Sequence, residues 1–131
     1  MNIQVRYYSR SGNTKALAEA IAQAAHATAI SVDQTNANIN EPTDFLFVGG
    51  ALYAYGIDHH LKSWLNILDA SKVKKAVVFS TSRLSKYSID VIKKTLQNKG
   101  ITVLEETIYY KNHPTDAELE EAKNTVKKII Q

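Results

Sequence analysis

Apolar and polar residues along the chain follow two patterns, one typical of buried strands and one typical of amphipathic helices. The residues from Ile3 to Tyr8 and from Thr28 to Val32 are strand-like. Three later segments are also strand-like: Asp44 to Gly50, Ala76 to Phe79 and Thr102 to Tyr110. The segment that ends at Gly50 is almost unbroken in its apolar character, which is typical of a strand buried on both faces of a sheet.

Apolar residues with helical spacing separate most of these strands. Four faces of this kind occur, formed by Leu17, Ala18, Ile21, Ala22 and Ala25, by Ile57, Leu61, Trp64, Leu65 and Leu68, by Ile89, Ile92 and Leu96, and by Leu119, Ala122, Val126, Ile129 and Ile130. Gly100 is suited to end the third helix. Thr115 and Glu118 have the spacing of a capping box at the start of the fourth. Alternating strands and helices predict an α/β protein with a doubly wound parallel sheet.

The segment between the second and third strands departs from this pattern. Residues 34–42 are polar, rich in asparagine and without helical periodicity, so the crossover helix normally found there is predicted to be short or missing. Right-handed crossovers put the first and last helices on one face of the sheet. We therefore predict that Ile3 and Val5 point to that face, whereas Gln4 and Arg6 point to the other, where water, the 34–42 segment or a second chain meets them.

Composition narrows the class of protein. The 131 residues are 44% hydrophobic and 22% charged, which is typical of a single globular domain rather than a disordered chain. The absence of cysteine excludes disulfides, thiolate metal sites and cysteine nucleophiles. The N-terminus lacks the form of a signal peptide, and no apolar run approaches the ~20 residues needed to span a bilayer. We expect a cytoplasmic protein that does not act at a membrane.

The loop after the first strand has the composition of a phosphate-binding site. It reads Ser9-Arg10-Ser11-Gly12-Asn13-Thr14 and leads directly into a helix. A helix start offers unpaired N–H groups and the positive end of a dipole to an anion. The loop has neither a G-x-G-x-x-G motif nor a G-x-x-x-x-G-K motif, and loops that rely on hydroxyls and amides suit a terminal monophosphate. A simple turn with a helix cap is the alternative interpretation of the same residues.

This loop, with Tyr7 and Tyr8 before it, resembles the first loop of the flavodoxin family, which reads Ser/Thr-x-Ser/Thr-Gly-x-Thr after a strand that ends in aromatic residues. The resemblance implies one flavodoxin-like domain over residues 1–131, with a five-stranded parallel sheet of order 2-1-3-4-5. It also implies that non-covalent flavin mononucleotide (FMN) is the cofactor and that its phosphate is bound by the side chains of Ser9, Ser11 and Thr14 and by the amides of Arg10, Ser11, Gly12, Asn13 and Thr14.

Two further loops are similar to the segments that hold the flavin ring in this family. The loop after the third strand is expected to supply Ala51, Leu52, Tyr53, Ala54, Tyr55 and Gly56, with Tyr53 as the first candidate for stacking on the ring and Tyr55 as the second. The loop after the fourth is expected to supply Thr81, Ser82, Arg83 and Tyr87. Packing of Tyr55 against the following helix, and a solvated Arg83, are the alternatives. The segment from Asn112 to Lys123 resembles the entry of the family's last helix, where we interpret His113 as structural.

The resemblance implies an electron-transfer protein, and two alternatives stay open. One is an FMN-dependent NAD(P)H or quinone oxidoreductase, and the other is a flavodoxin-fold module that binds a protein without a cofactor. We predict no catalytic residue. We also predict no metal site at His59 and His60, which precede a helix without a carboxylate or cysteine at a metal-ligand spacing. The net charge of +3 comes from 16 Lys and Arg against 13 Asp and Glu, and it is dispersed. We therefore expect no nucleic-acid partner, a redox partner with an acidic docking patch, and a monomer or weak dimer.

Overall fold

The computed structural model describes residues 1–53, 56–82 and 85–131. Its elements are, in chain order, β1 (Ile3–Tyr8), α1 (Asn13–Ala24), β2 (Ala29–Ser31), β3 (Thr43–Gly50), β4 (Leu52–Tyr53), β5 (Gly56–Ile57), α2 (His59–Ile67), a 3₁₀ turn (Ala70–Lys72), β6 (Val73–Ser80), α3 (Tyr87–Asn98), β7 (Thr102–Tyr109) and α4 (Asp116–Ile130). Five strands form a parallel sheet of order β2-β1-β3-β6-β7. In order of appearance this is 2-1-3-4-5, so the predicted fold is confirmed.

Local signals in the sequence determine where several elements begin and end. Thr115 accepts a hydrogen bond from the Glu118 amide while the Glu118 carboxylate accepts one from the Thr115 amide, so the predicted capping box starts α4. Gly100 follows α3 with a φ of 87°, a left-handed conformation that favours glycine. Among the residues that the structure describes, no helix is long and apolar enough to cross a membrane.

Two apolar clusters lie on opposite faces of the sheet. One contains Val5 and Tyr7 of β1 and is covered by α1 and α4, with Leu17 and Val126 among its fully buried members. Ile3 packs at the edge of this cluster. The other cluster lies under α2 and α3 and includes Ala37 and Ile39 from the connection between β2 and β3. The predicted orientation of Ile3 and Val5 is therefore confirmed.

Residues 34–42, all of which the structure describes, form turns and bends in place of a crossover helix. Arg6 points to this side of the sheet, and its Nε donates a hydrogen bond to the carbonyl of Ala37 over 2.6 Å. Gln4 lies on the same side and donates to the Asn2 side chain. The loop is thus the cover that the polar alternation of the first strand predicted, and it buries Arg6 to an exposure of 3%.

Candidate functional site

The loop from Ser9 to Thr14 connects β1 to α1 at the carboxyl end of the sheet, where ligands bind in folds of this type. Gly12 precedes the helix with a φ of 92°, and a Cβ atom built there would have nothing within 4 Å, so open space lies in front of it. The first helical hydrogen bond runs from the Ala16 amide to the Gly12 carbonyl. No side chain of the described residues caps this helix start. The amides of Thr14 and Lys15 in the first turn have no partner among the described residues and remain available to an anion.

Hydroxyl groups hold the shape of this loop. Ser9 Oγ accepts a hydrogen bond from the Gly12 amide at 3.0 Å, and Ser11 Oγ accepts one from the Asn13 amide at 3.4 Å. The Thr14 side chain is buried, and its Oγ1 lies 2.7 Å from Oγ1 of Thr81. The loop after β1 and the loop after β6 are thus joined by a hydrogen bond between two residues that the sequence assigned to one site.

The loop after β6 contains a buried hydroxyl group, that of Ser82. Ser82 is 1% exposed, and its Oγ has no hydrogen-bond partner among the residues that the structure describes. Its carbonyl accepts a hydrogen bond from the Tyr109 hydroxyl at 2.5 Å, which anchors the loop to β7. Because buried polar atoms are nearly always paired, a Ser82 hydroxyl without a partner among the described residues fits a polar group of a ligand beside Thr81 and Ser82.

The segment that was expected to be a flavin-binding loop is partly a short hairpin. Leu52 and Tyr53 of β4 pair antiparallel with Gly56 and Ile57 of β5. Ala51, Leu52 and Tyr53 are all half-buried. The guanidinium carbon of Arg10 lies 3.9 Å from the centre of the Tyr53 ring, a cation–π arrangement that brings this hairpin against the first loop.

Asp58 connects the first loop to the start of α2. Its side chain is only 3% exposed, and one of its oxygens, Oδ2, accepts hydrogen bonds from Nε and Nη2 of Arg10 at 2.9 and 2.6 Å. The other oxygen, Oδ1, accepts from the amide of His60 at 2.7 Å and lies 2.9 Å from its Nδ1, so Asp58 also caps the helix. Burial raises the pKa of the Asp58 carboxyl, but the hydrogen bonds from His60 and Arg10 outweigh it and leave the pKa below its usual value.

The same aspartate corrects one step of the sequence argument about metals. A carboxylate does lie beside His59 and His60, since ligand atoms of Asp58 and both histidines fall within 4.8 Å of one another. Both Asp58 oxygens, however, already take part in the contacts with Arg10 and His60, and the His60 ring stacks on Tyr8 with 4.6 Å between ring centres. A cation would have to displace Arg10 from this carboxylate, so we do not propose a metal site here.

Among the residues that the structure describes, most of those predicted to bind the cofactor lie close together. Arg10, Thr14, Tyr53 and Thr81 are linked by the contacts above, and Ser82 follows Thr81. Tyr87 is set apart, because it is 59% exposed at the start of α3 and lines a cavity together with Gly56 and Ile57. Its role in stacking stays a prediction. Ala54, Tyr55 and Arg83, which were also assigned to the site, lie outside the described residues.

Three residues of the site were not assigned to it from the sequence. Asp58 pairs with Arg10, Tyr109 holds the Ser82 carbonyl, and His113 Nδ1 lies 3.2 Å from Oδ1 of Asn13. Only Asp58 carried a local signal, since an aspartate directly before a helix is a preferred N-cap. The contacts of the other two join residues far apart in the chain, which no local pattern predicts.

Comparison with known proteins agrees with the observed fold. The family model for the flavodoxin domain matches residues 4–117. Similar solved structures include a flavodoxin from the Archaea, at 24% identity and a TM-score of 0.85, which covers 98% of this chain and 96% of that chain. Oxidised flavodoxin 1 of Bacillus cereus has 20% identity and a TM-score of 0.82, with 99% and 97% covered.

A third similar structure is that of a larger enzyme. Rubredoxin oxygen:oxidoreductase of Desulfovibrio gigas has 17% identity and a TM-score of 0.82, and the match covers 98% of this chain but 35% of the enzyme. A search of curated proteins finds no match. The family model spans most of the chain, including the loop after β1 and the strands that carry the other two loops. The chain therefore belongs to the flavodoxin family.

Proposed function

We propose that this protein binds FMN without a covalent bond and transfers electrons to and from a partner protein. Membership of the flavodoxin family supports a flavin cofactor, and the described residues fit its two chemically distinct ends. The phosphate end suits the loop from Ser9 to Thr14, and the planar ring suits the aromatic side chain of Tyr53 and the hydroxyl groups of Thr81 and Ser82.

The observation that carries the proposal is the uncapped start of α1. Helices α2 and α4 are capped by the side chains of Asp58 and Thr115, whereas no side chain of the described residues caps α1 or α3. Of these two helix starts, that of α1 follows Gly12, which faces open space. The hydroxyls of Ser9 and Ser11 lie beside it and can turn their O–H groups toward an anion. A dianionic phosphate would satisfy the free amides and gain from the helix dipole.

The other residues have roles in orienting the ring. Tyr53 offers an aromatic side chain at the mouth of the site, and the free Ser82 hydroxyl can donate to a polar atom of the ligand. Arg10 holds the Tyr53 hairpin against the phosphate loop through its ion pair with Asp58. When bound, FMN supplies the redox chemistry, and the protein contributes binding, orientation and the local charge.

The test is calorimetric titration of the apoprotein with FMN and with riboflavin, which lacks the phosphate. We expect one FMN per chain and an affinity at least about 100-fold higher than for riboflavin, because several charge-assisted hydrogen bonds at ~1.5–3 kcal/mol each are lost without the phosphate. Ser11→Ala should weaken FMN binding about tenfold and leave riboflavin binding unchanged. Ser63→Ala, which removes an exposed hydroxyl from α2, is the matched control and should alter neither affinity.

Equal affinities for the two flavins would contradict the proposed role of the loop from Ser9 to Thr14. Failure of either flavin to bind would instead favour the module without a cofactor. A protein purified with a yellow colour, and an absorbance spectrum that shifts when FMN is added, would support the proposal directly.

One observation favours a second candidate function. The similar unit in rubredoxin oxygen:oxidoreductase is about a third of that enzyme, so the same fold also serves within oxidoreductases. Steady-state oxidation of NADPH or NADH by the FMN-loaded protein, with a quinone as acceptor, separates an oxidoreductase from a carrier. Sustained turnover would establish the enzyme, whereas a carrier exchanges electrons only with a protein partner.

A further inference from the structure

Arg6 lies on β1, an interior strand of the sheet, as a buried cation without an acidic partner among the described residues. Its exposure is 3%, and no carboxylate of the described residues forms an ion pair with it. The guanidinium donates from Nε to the Ala37 carbonyl at 2.6 Å and from Nη1 to the Val5 carbonyl at 3.1 Å. Burial lowers the pKa of Arg6 to about 10, which still leaves the group charged at neutral pH. Buried charges are normally paired, so this one calls for an explanation.

Only part of the hydrogen-bonding capacity of Arg6 is used by the described residues. A guanidinium has five N–H donors, and the two bonds above account for one on Nε and one on Nη1. The second N–H of Nη1 and both N–H groups of Nη2 have no acceptor among the described residues. Donors on these two nitrogens form the edge that binds a carboxylate with two parallel hydrogen bonds.

A cavity of about 170 Å³ adjoins this residue. Its walls include Gln4 and Arg6 from β1, Thr43 from β3, and Asn38, Asn40 and Glu41 from the segment that replaces the crossover helix. A water molecule occupies about 30 Å³ in the liquid, so the cavity has room for an anion of a few heavy atoms. The side-chain amides of Asn38 and Asn40 are exposed and have no hydrogen-bond partner among the described residues, which leaves two further donors at the rim.

We propose that this cavity binds a small monocarboxylate anion, with Arg6 as the residue that recognises it. The buried guanidinium of Arg6 can balance one negative charge, and the carboxylate of Glu41 in the cavity wall adds to the cost of a dianion. The planar guanidinium edge favours a carboxylate over a spherical halide. No residue of the proposed flavin site lines this cavity, so the inference does not depend on FMN.

Glu41 is the obvious competitor, because it lines the same cavity without contacting Arg6. If Glu41 rotated inward, it would neutralise the guanidinium and occupy the position assigned to the ligand. This alternative makes an opposite prediction for Glu41→Gln. Removal of an acid beside the cavity should strengthen binding of an anionic ligand, whereas removal of a native counter-ion should destabilise the fold.

The experiment is an NMR titration of the protein, as purified, with sodium acetate against sodium chloride at constant ionic strength and pH 7. We expect saturable amide shifts at Arg6 and residues 37–41, with a dissociation constant on the order of 1–10 mM, the weak affinity of a small ligand. The amides of residues 11–14 report acetate bound at the phosphate loop separately.

Acetamide, the neutral analogue, should produce no saturable shifts. Arg6→Met should weaken acetate binding at least tenfold, and Glu41→Gln should tighten it about threefold or more.

Linear shifts without saturation, equal shifts with acetamide, or binding that survives in Arg6→Met would each overturn the proposal. If Arg6→Met does not fold, Glu41→Gln decides alone, because unchanged or weaker acetate binding in that variant would refute a site governed by the Arg6 charge. Failure of FMN to bind would leave this result unaffected, since the two sites share no residue.

Discussion

The two faces of the central sheet are covered in different ways. On one face, α1 and α4 pack on the sheet, and Val5, Leu17, Phe47, Val77 and Val126 have no exposed surface. On the other face, α2 and α3 pack beside a loop, residues 34–42, that contributes Ala37 and Ile39 to the apolar cluster. The first face is closed by helices alone, and the second by two helices and a loop.

This difference explains the polar alternation of β1. A helix satisfies its own backbone groups and presents an apolar surface, but a loop brings unpaired carbonyls into the protein interior. The Ala37 carbonyl accepts hydrogen bonds from Arg6 Nε and from the indole nitrogen of Trp64, at 2.6 and 3.2 Å. A polar side chain on an interior strand can therefore pair with a carbonyl of the buried loop, as Arg6 does beside Trp64.

The largest expected effect compares two apolar residues, one on each face. Leu17→Ala, in α1 on the first face, should lower the free energy of unfolding by about 3–4 kcal/mol. The substitution leaves a cavity between the helices and the sheet, and these regular elements resist collapse into it. Ile39→Ala, in the loop on the second face, should cost about 1–2 kcal/mol, because a loop without regular hydrogen bonds can close over the space. Urea denaturation of both variants at pH 7 measures the difference.

Equal costs for the two variants would show that the loop is as rigid as a helical layer. Because Leu17 is 0% and Ile39 7% exposed, a small part of the difference reflects burial alone. A gap below about 0.5 kcal/mol, the scatter with which independent substitutions add, would therefore count against the distinction between the two faces.

A smaller effect concerns Asp58, which starts α2 on the second face. Asp58→Asn keeps an acceptor for the helix cap but loses the charge that binds Arg10, and should cost about 1–2 kcal/mol at pH 7. The folded pKa lies below the unfolded value of ~3.9. The charged form of Asp58 thus stabilises the fold fully at a pH above the unfolded pKa. This contribution disappears as the pH falls through the folded pKa.

Unfolding free energies at pH 7 and pH 3 test this sign. The difference in unfolding free energy between the wild-type protein and Asp58→Asn should be smaller at pH 3 than at pH 7. Asp69→Asn is the comparison variant, because Asp69 also caps a helical turn, and its hydrogen bonds with Ser71 likewise lower its pKa, but it is exposed and forms no ion pair among the described residues. Its effect on the unfolding free energy at pH 7 should therefore be smaller than that of Asp58→Asn. A difference that grows on acidification would contradict the assigned role of the Asp58 charge.

The sequence predicted the parts of this molecule that depend on local patterns. Strand and helix order, the capping box at Thr115 and the missing crossover helix all follow from periodicity and cap chemistry within a few residues. The alternation of polar and apolar residues in β1 also predicted a tertiary feature. Because Gln4 and Arg6 lie on one side of this interior strand, polar groups were expected to cover that side. The boundaries were less accurate, as β2 spans Ala29–Ser31 rather than the five residues from Thr28 to Val32.

The candidate site was predicted only in part, for a physical reason. The loop from Ser9 to Thr14 has a local signature, but its connections to Asp58, Thr81 and His113 cross 48, 67 and 100 positions of sequence. Such contacts are decided by the packing of the sheet and not by neighbouring residues. The pairing of Leu52–Tyr53 with Gly56–Ile57, in a segment expected to be an open loop, was missed because strands of two residues carry almost no periodicity.

The smallest expected effect is the most informative about the second face. Arg6→Met removes a buried charge and its two hydrogen bonds to carbonyls, and replaces them with a flexible apolar side chain of similar length. The lost hydrogen bonds lower the stability, and the Ala37 carbonyl keeps Trp64 as its remaining donor. Removal of the unpaired cation raises the stability, because the free-energy cost of burying its charge disappears. We expect these two terms nearly to cancel, so that the stability of Arg6→Met stays within about 1 kcal/mol of that of the wild-type protein.

Val5→Ala, one position away on the same strand, should cost more, about 2 kcal/mol. Chemical denaturation of both variants makes the comparison, and a loss of more than about 2 kcal/mol in Arg6→Met would show that Arg6 holds the loop in place instead of serving a ligand.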